Sequence, residues 1–177
     1  WDDRLHCFVP GEPVQACVSA GAGAGVWSLR DCLKSGLDAG RAVVKRCGLM
    51  AADIDLPKAA STVGNDPEPL WRVPSMKNPD RCPKQFLDFQ TDVCVADVRL
   101  AAREGYTSIE HLKRYTALGF GTDQGKLGNI NGMAVLAECL NEPIQSVGTT
   151  TFRPAYTPVT FGACAGEGVG ALFDPQR

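Results

Sequence analysis

The sequence has no run of apolar residues approaching the roughly 18–20 needed to cross a bilayer, although apolar residues make up 44% of its 177. It therefore reads as a soluble chain. It has little charge of either excess sign: 18 Lys and Arg against 20 Asp and Glu leave a formal −2. Nucleic-acid binding rests largely on phosphate neutralisation and attraction to anionic membranes on basic clusters, so neither partner is expected. Histidine is scarce, with only His6 and His111. Cysteine is not, but its eight positions (7, 17, 32, 47, 82, 94, 139 and 164) contain no Cys-x-x-Cys and no Cys/His pair at zinc spacing. Cys32 and Cys139 occupy apolar positions of helical patterns, where a free thiol acts as a small hydrophobe. Reduced, structural thiols in a cytoplasmic protein are the expectation.

What is present is enough chain for one domain or slightly more, with a core that needs neither disulfide nor metal. The first residue is Trp1, and Trp-Asp-Asp-Arg lacks the charged-then-apolar order of an export signal, so a piece of a longer chain is expected. Nineteen glycines and twelve prolines exceed the average share of about 12%, which gives weight to turns and arms. In residues 1–48 an extended stretch leads into the glycine-rich turn Ser19–Gly25 and then a helix. Ser28 and Asp31 stand at capping-box spacing. Leu29, Cys32, Leu33, Leu37 and Val44 repeat at helical period, and Gly48 marks the C-terminal cap. Gly36 and Gly40 share one face of this helix, which predicts a closely packed partner there.

Residues 49–84 carry six prolines, at 57, 67, 69, 74, 79 and 83, and read as a connecting arm pinned by Leu70 and Trp71. Residues 85–147 read as a helical module: a helix through Val95–Ala102 ending at Gly105, a second capped by Ser108, a glycine-punctuated loop, and a third over Ile130–Leu140. From Gly148 on, β-branched and aromatic residues broken by proline predict an extended arm or edge strand.

Three places could carry chemistry. The turn at Ser19–Ser28 could present N–H groups and a helix dipole to an anion, or be a helix-packing turn. Lys113, Arg114, Thr116, Thr122 and Lys126, with glycines at 119, 121, 125 and 128, could hold a phosphate, or form a solvated cationic helix end. Thr149, Thr150, Thr151 and Arg153 offer hydroxyls and a guanidinium fork, or an edge with a surface Arg. His111, between Ile109 and Leu112, reads as a packing or hydrogen-bonding residue, and no nucleophile stands with a base.

The segments Gly148-Thr-Thr-Thr-Phe-Arg-Pro-Ala-Tyr-Thr-Pro-Val-Thr-Phe-Gly162, Ser108-Ile-Glu-His-Leu-Lys-Arg-Tyr-Thr116, Thr122-Asp-Gln-Gly-Lys126 and Ser19-Ala-Gly-Ala through Cys32 together resemble the middle of the alpha subunits of heterotetrameric sarcosine oxidases. The resemblance covers most of the chain in order and is weakest over 49–80. It implies a mixed α+β fold: residues 1–48 as the end of a nucleotide-binding α/β domain, 49–84 as an arm, 85–147 as a small helical module, and 148–177 as an extended arm leading to a folate-binding domain outside this sequence. It further implies NAD near Gly21, Ala22, Val26 and Ser28. The first dinucleotide fingerprint and its acidic ribose partner are absent, so poor NAD binding is expected of this stretch alone.

The helical module is similar to domains that hold a 2Fe–2S cluster in related amine and opine oxidases. Alignment puts Asp88, Gln90, Asp123 and Gly128 where those domains have cysteines, and since thiolates hold such clusters none is expected here. The resemblance implies instead an FMN at the interface with a beta subunit, covalently attached there, in the vicinity of Lys113, Arg114, Thr116, Thr122, Lys126, Thr149, Thr150, Thr151 and Arg153. FAD on the beta subunit, gamma and delta subunits, and tetrahydrofolate complete the implied enzyme, an oxidoreductase acting on the CH–NH group of sarcosine and yielding glycine. The chain carries no identifiable catalytic base or metal ligand. Two alternatives stay open: an iron–sulfur electron-transfer module of an opine or proline dehydrogenase, and a non-catalytic module at a subunit interface.

Overall fold

A computed structural model of the chain describes residues 1–60, 66–78, 81–152, 157 and 159–172. It is mixed α+β: among the described residues there are five α-helices and one two-stranded antiparallel sheet. The chain divides into two compact units, Trp1–Pro69 and Leu70–Arg177. No helix of the described residues is long and apolar enough to cross a membrane.

In the first unit, residues 2 and 7 form an isolated antiparallel bridge, with Asp2 N–H donating to the Cys7 carbonyl at 2.9 Å. Leu5, buried, and Val9 then pack on the turn at Gly25. A Cβ on residue 25 would stand 2.8 Å from the Leu5 side chain, and its φ of +78° disfavours any other residue, so this turn requires glycine. A single 3₁₀ turn, Gly21–Ala24, precedes helix α1, Leu29–Arg46. Ser28 caps α1 as its spacing predicts: its Oγ accepts the Asp31 N–H at 3.1 Å and donates to the Asp31 carboxylate at 2.6 Å.

The packing partner expected at Gly36 and Gly40 is not there. Nothing among the described residues lies within 4 Å of a Cβ built at either position, and no residue of α1 is buried. Gly36→Ala and Gly40→Ala should therefore each stabilise the helix, by about 1 kcal/mol. Thermal unfolding followed by circular dichroism checks this, and a lowered midpoint would reveal a partner on that face.

In the second unit, β1 (Phe86–Asp88) pairs with β2 (Val93–Cys94) across a tight turn, Phe86 opposite Cys94 and Asp88 opposite Val93, with an irregularity between. Helix α2 (Val95–Arg103) follows directly and ends before Gly105, whose φ is +94°. Helices α3 (Ile109–Thr116) and α4 (Asn129–Leu140) complete the module. The core is where the periodicity predicts it: Val95, Val98 and Ala101 of α2, Ile109 and Leu112 of α3, and Met133, Leu136 and Ala137 of α4, closed by Leu87, Leu118 and Val147. Gly132 lets α4 lie directly against the Leu118 side chain.

The described residues of the proline-rich arm form no helix or strand. The arm is pinned through Arg72, which donates to both oxygens of Glu138 at 3.0 and 3.2 Å, and through the Val73 carbonyl, which accepts from Gln85. Trp71 is half-buried, but Leu70 is exposed. Beyond Val147, where an extended arm or edge strand is expected, no strand forms among the described residues. A short helix α5, Phe161–Ala165, forms instead, because Thr160 Oγ1 caps it by accepting the Ala163 N–H at 3.2 Å, followed by 3₁₀ turns over Glu167–Leu172.

All eight cysteines are free thiols. Cys94 alone is buried; Cys32 and Cys139 are half-buried, Cys139 packing against the core as a small hydrophobe. Cys94 starts α2, with its backbone N–H and its thiol both donating to Asp97 Oδ2, at 2.8 and 3.0 Å. Burial pushes the Cys94 thiol up, and the Asp97 carboxylate adds to that, which favours the protonated thiol.

Candidate functional site

The chemistry-bearing residues of the second unit gather where α3, the loop 117–128 and the segment 148–152 meet. Helix α3 brings one side of this place. Ile109, Leu112 and Lys113 lie on its core-facing side, because positions four apart share a face. Lys113 is thus not part of a solvated helix end: it is 5% exposed, and its Nζ donates to the Thr151 carbonyl at 3.0 Å. Arg114 is exposed and pairs with Glu110 Oε2 at 3.3 Å. The other Glu110 oxygen accepts the Thr151 N–H at 2.6 Å. His111 is exposed, which removes the packing alternative of its packing or hydrogen-bonding reading: Ile109 and Leu112 are buried while it is not.

A cavity of about 70 Å³ opens among Glu110, Lys113, Arg114, Phe120 and Thr151. Thr116 caps the end of α3, its Oγ1 donating to the Leu112 carbonyl at 2.9 Å and accepting the Leu118 N–H at 3.3 Å. Thr122 is exposed and donates to Gln90 Oε1 at 3.3 Å, and Lys126 is exposed on the same loop. Thr149 and Thr151 are exposed; Thr150 is half-buried, with its hydroxyl accepting from Asn129 Nδ2 at 3.0 Å. Arg153 lies outside the described residues.

The loop is held in a demanding conformation. Ala117, Gly119, Gln124 and Gly125 all have left-handed backbones, at φ of +66°, +71°, +51° and +72°. Such a run persists only where surrounding contacts over-determine it, and here they do. Asp88, 5% exposed, reaches across from β1 so that Oδ2 accepts the Gly119 N–H at 2.7 Å, while Oδ1 accepts Gln90 and Thr91 N–H at 2.8 and 3.3 Å. Burial pushes the Asp88 carboxyl up, but these N–H donors outweigh it and hold it below the usual carboxylate range. Gln90 Oε1 accepts from Asp123 N–H at 3.4 Å, and Asp123 Oδ1 from Gly125 N–H at 3.1 Å. Asn129 fills the space left by the missing side chains of Gly119 and Gly125. Sequence reading missed Asn129, Glu110 and Phe120; the two glycines ahead of a polar residue at a helix start were the available signal for Asn129.

Of the four positions aligned with cluster cysteines, Asp88, Gln90 and Asp123 are thus joined by hydrogen bonds, and Gly128 faces the Leu87 backbone. Asp, Gln, Asp and Gly offer no thiolate, so these residues do not fit an iron–sulfur cluster. Among the described residues no group of three or more His, Cys, Asp or Glu could hold a metal ion. In the first unit, Gly21 is half-buried with its N–H donating to Ser35 Oγ at 3.2 Å, and its carbonyl accepts Val26 N–H at 3.1 Å. Ala22 is exposed and its carbonyl accepts Gly25 N–H at 3.1 Å. Val26 and Ser28 are half-buried, and the Ser28 hydroxyl is taken by Asp31. The Gly25 and Val26 N–H groups are thus taken within the turn and the Gly21 N–H by α1, and Asp31 already answers the helix dipole.

Fold and site together define a small helical module whose loop 117–128 is tied by side-chain hydrogen bonds to the β1–β2 hairpin. Residues 82–167 match the family described as the sarcosine oxidase A3 domain. The whole chain is 40% identical over 178 residues to sarcosine oxidase subunit alpha of Rhizobium meliloti (strain 1021). It is 38% identical over 180 residues to the subunit of the same name from Corynebacterium sp. (strain U-96). In both cases all of this chain is covered but only 18% of the relative, so the chain spans under a fifth of the length of these curated relatives. It belongs to the sarcosine oxidase alpha-subunit family, as a segment of that subunit.

Proposed function

We propose that this chain is the central part of an alpha subunit that works with beta, gamma and delta subunits in the oxidative demethylation of sarcosine to glycine, and that its helical module forms one wall of an FMN site. FMN, when bound, supplies a redox carrier between the amine-oxidising FAD of the beta subunit and oxygen; tetrahydrofolate takes up the released one-carbon unit in a domain beyond this sequence. The observation that carries the reading is the convergence of Lys113, Arg114, Phe120 and Thr151 on one cavity, where Glu110 pairs with Arg114, with Thr122 and Lys126 on the adjoining loop. A guanidinium, an ammonium and hydroxyls suit a phosphate, and Phe120, 47% exposed, offers an aromatic face. A cavity of about 70 Å³ admits only a few atoms of a flavin, so most of that group would lie on the outer face. Thr149, Thr150 and Arg153 belong to the same reading, with Lys113 lining the cavity while its Nζ is taken by the Thr151 carbonyl. NAD near Gly21, Ala22, Val26 and Ser28 rests on the family likeness, as does the division at 48, 84 and 147.

Combined replacement Arg114→Ala and Lys126→Ala in the native complex should lower bound FMN several-fold, since each exposed ionic contact contributes about 0.2–1 kcal/mol. Flavin released and counted after denaturation, together with the protein-bound fraction, measures it. An intact complex with normal FMN would instead support the non-catalytic interface module.

A further inference from the structure

We propose that Glu110 and Lys113 form a clasp on the backbone of Thr151, and that the buried Lys113 ammonium serves this clasp and not a ligand. The two residues stand three apart on α3 and so lie on neighbouring positions of one face. Glu110 Oε1 accepts the Thr151 N–H at 2.6 Å, and Lys113 Nζ donates to the Thr151 carbonyl at 3.0 Å. A carboxylate and an ammonium thus take both backbone groups of a single residue, the exchange that a facing strand residue makes in an antiparallel pair.

Burying an ammonium is costly unless it is hydrogen-bonded, and at 5% exposure Lys113 finds its acceptor in the backbone and not in a partner that could leave. Asn129 at the start of α4 adds a third point, donating to the Thr150 hydroxyl at 3.0 Å. Two helices therefore fix the chain at residues 150 and 151, and they do so where no regular secondary structure would. The clasp stands on this geometry whether or not a flavin lies nearby; on the flavin reading, which this part alone rests on, it makes Glu110 and Lys113 positioning residues for the exposed side chains of Thr149 and Thr151.

Residue-resolved amide hydrogen exchange on the full subunit in its native complex tests the clasp, with FMN counted on the same samples. Glu110→Ala and Lys113→Met should each speed exchange of the Thr151 amide by about tenfold or more, in line with loss of a bond to a charged group. Glu110→Gln, which keeps an acceptor oxygen, and Lys113→Arg, which keeps a charged donor, should restore protection to within about threefold of wild type. The Leu136 amide of α4 should stay protected throughout, which separates a released clasp from an unfolded module. Unchanged Thr151 exchange in either disruptive variant with Leu136 protected overturns the proposal, as does equal acceleration in Glu110→Gln and Glu110→Ala. If Glu110→Ala does not fold, Lys113→Met against Lys113→Arg decides alone. FMN lost while Thr151 remains protected sinks the clasp and spares the flavin reading; Thr151 released with FMN retained does the reverse.

Discussion

Gly128→Ala is expected to destabilise the helical module by about 3 kcal/mol, the upper part of the range for atoms forced into a filled space. The φ and ψ of Gly128, −100° and −27°, are ordinary for any residue, so backbone strain plays no part. The obstacle is steric and made of backbone: a Cβ at 128 would stand 2.5 Å from the Leu87 carbonyl oxygen, 3.4 Å from its carbon and 3.6 Å from the Asp88 Cα. A side chain could swing aside, but Leu87 belongs to β1 and is itself 4% exposed. The methyl must therefore push the start of α4 off the strand, and the Asp88 bond to Gly119 goes with it. Gly168→Ala, where nothing lies within 4 Å, is the matched control and should change stability by less than about 0.5 kcal/mol. Urea unfolding followed by circular dichroism measures both. A cost below about 0.5 kcal/mol at 128 would mean that β1 and the loop do not meet as described.

The elements legible in the sequence are those long enough to repeat. Helix α1 and its Ser28–Asp31 cap, α2, α3 and α4 follow from periodicity and from glycine at their ends, within a residue or two. The sheet was not legible, since strands of three and two residues are too short to show alternation. The empty face at Gly36 and Gly40 was misread because two glycines on one face show that close approach is possible, not that anything approaches. Within the site, helical geometry separates Lys113 from His111. Lys113 lies four residues after the fully buried Ile109 and shares its burial, whereas His111 lies two after it and turns to solvent. Asp88 and Gln90 were visible only as places where cysteine is missing. Their hydrogen bonds run 31 to 33 residues along the chain, to Gly119, Thr122 and Asp123, and no local pattern encodes such a reach.

Asp88→Ala is expected to cost about 3 kcal/mol, because it leaves the buried Gly119 N–H unsatisfied and also frees two N–H groups of the β1–β2 turn. The wild-type carboxyl gives this effect a pH signature. Its folded pKa lies below the ordinary 3.8, so the ionised form is the one the fold prefers. Its stabilisation is complete above that ordinary value and is lost as pH falls through the lower, folded one. Asp88→Asn preserves the shape but must turn an NH₂ toward at least one of the N–H donors that the carboxylate satisfied, so it should be less stable near neutral pH by about 1–2 kcal/mol. It should also have a flatter profile in acid, where wild type loses the contribution that Asn never had. Denaturation midpoints for the two proteins, taken in steps from pH 6 down to about pH 2, should therefore converge at the acid end. Parallel curves over the whole range would assign the acid sensitivity to another carboxylate and remove Asp88 as the tie between β1 and the loop that carries Thr122 and Lys126.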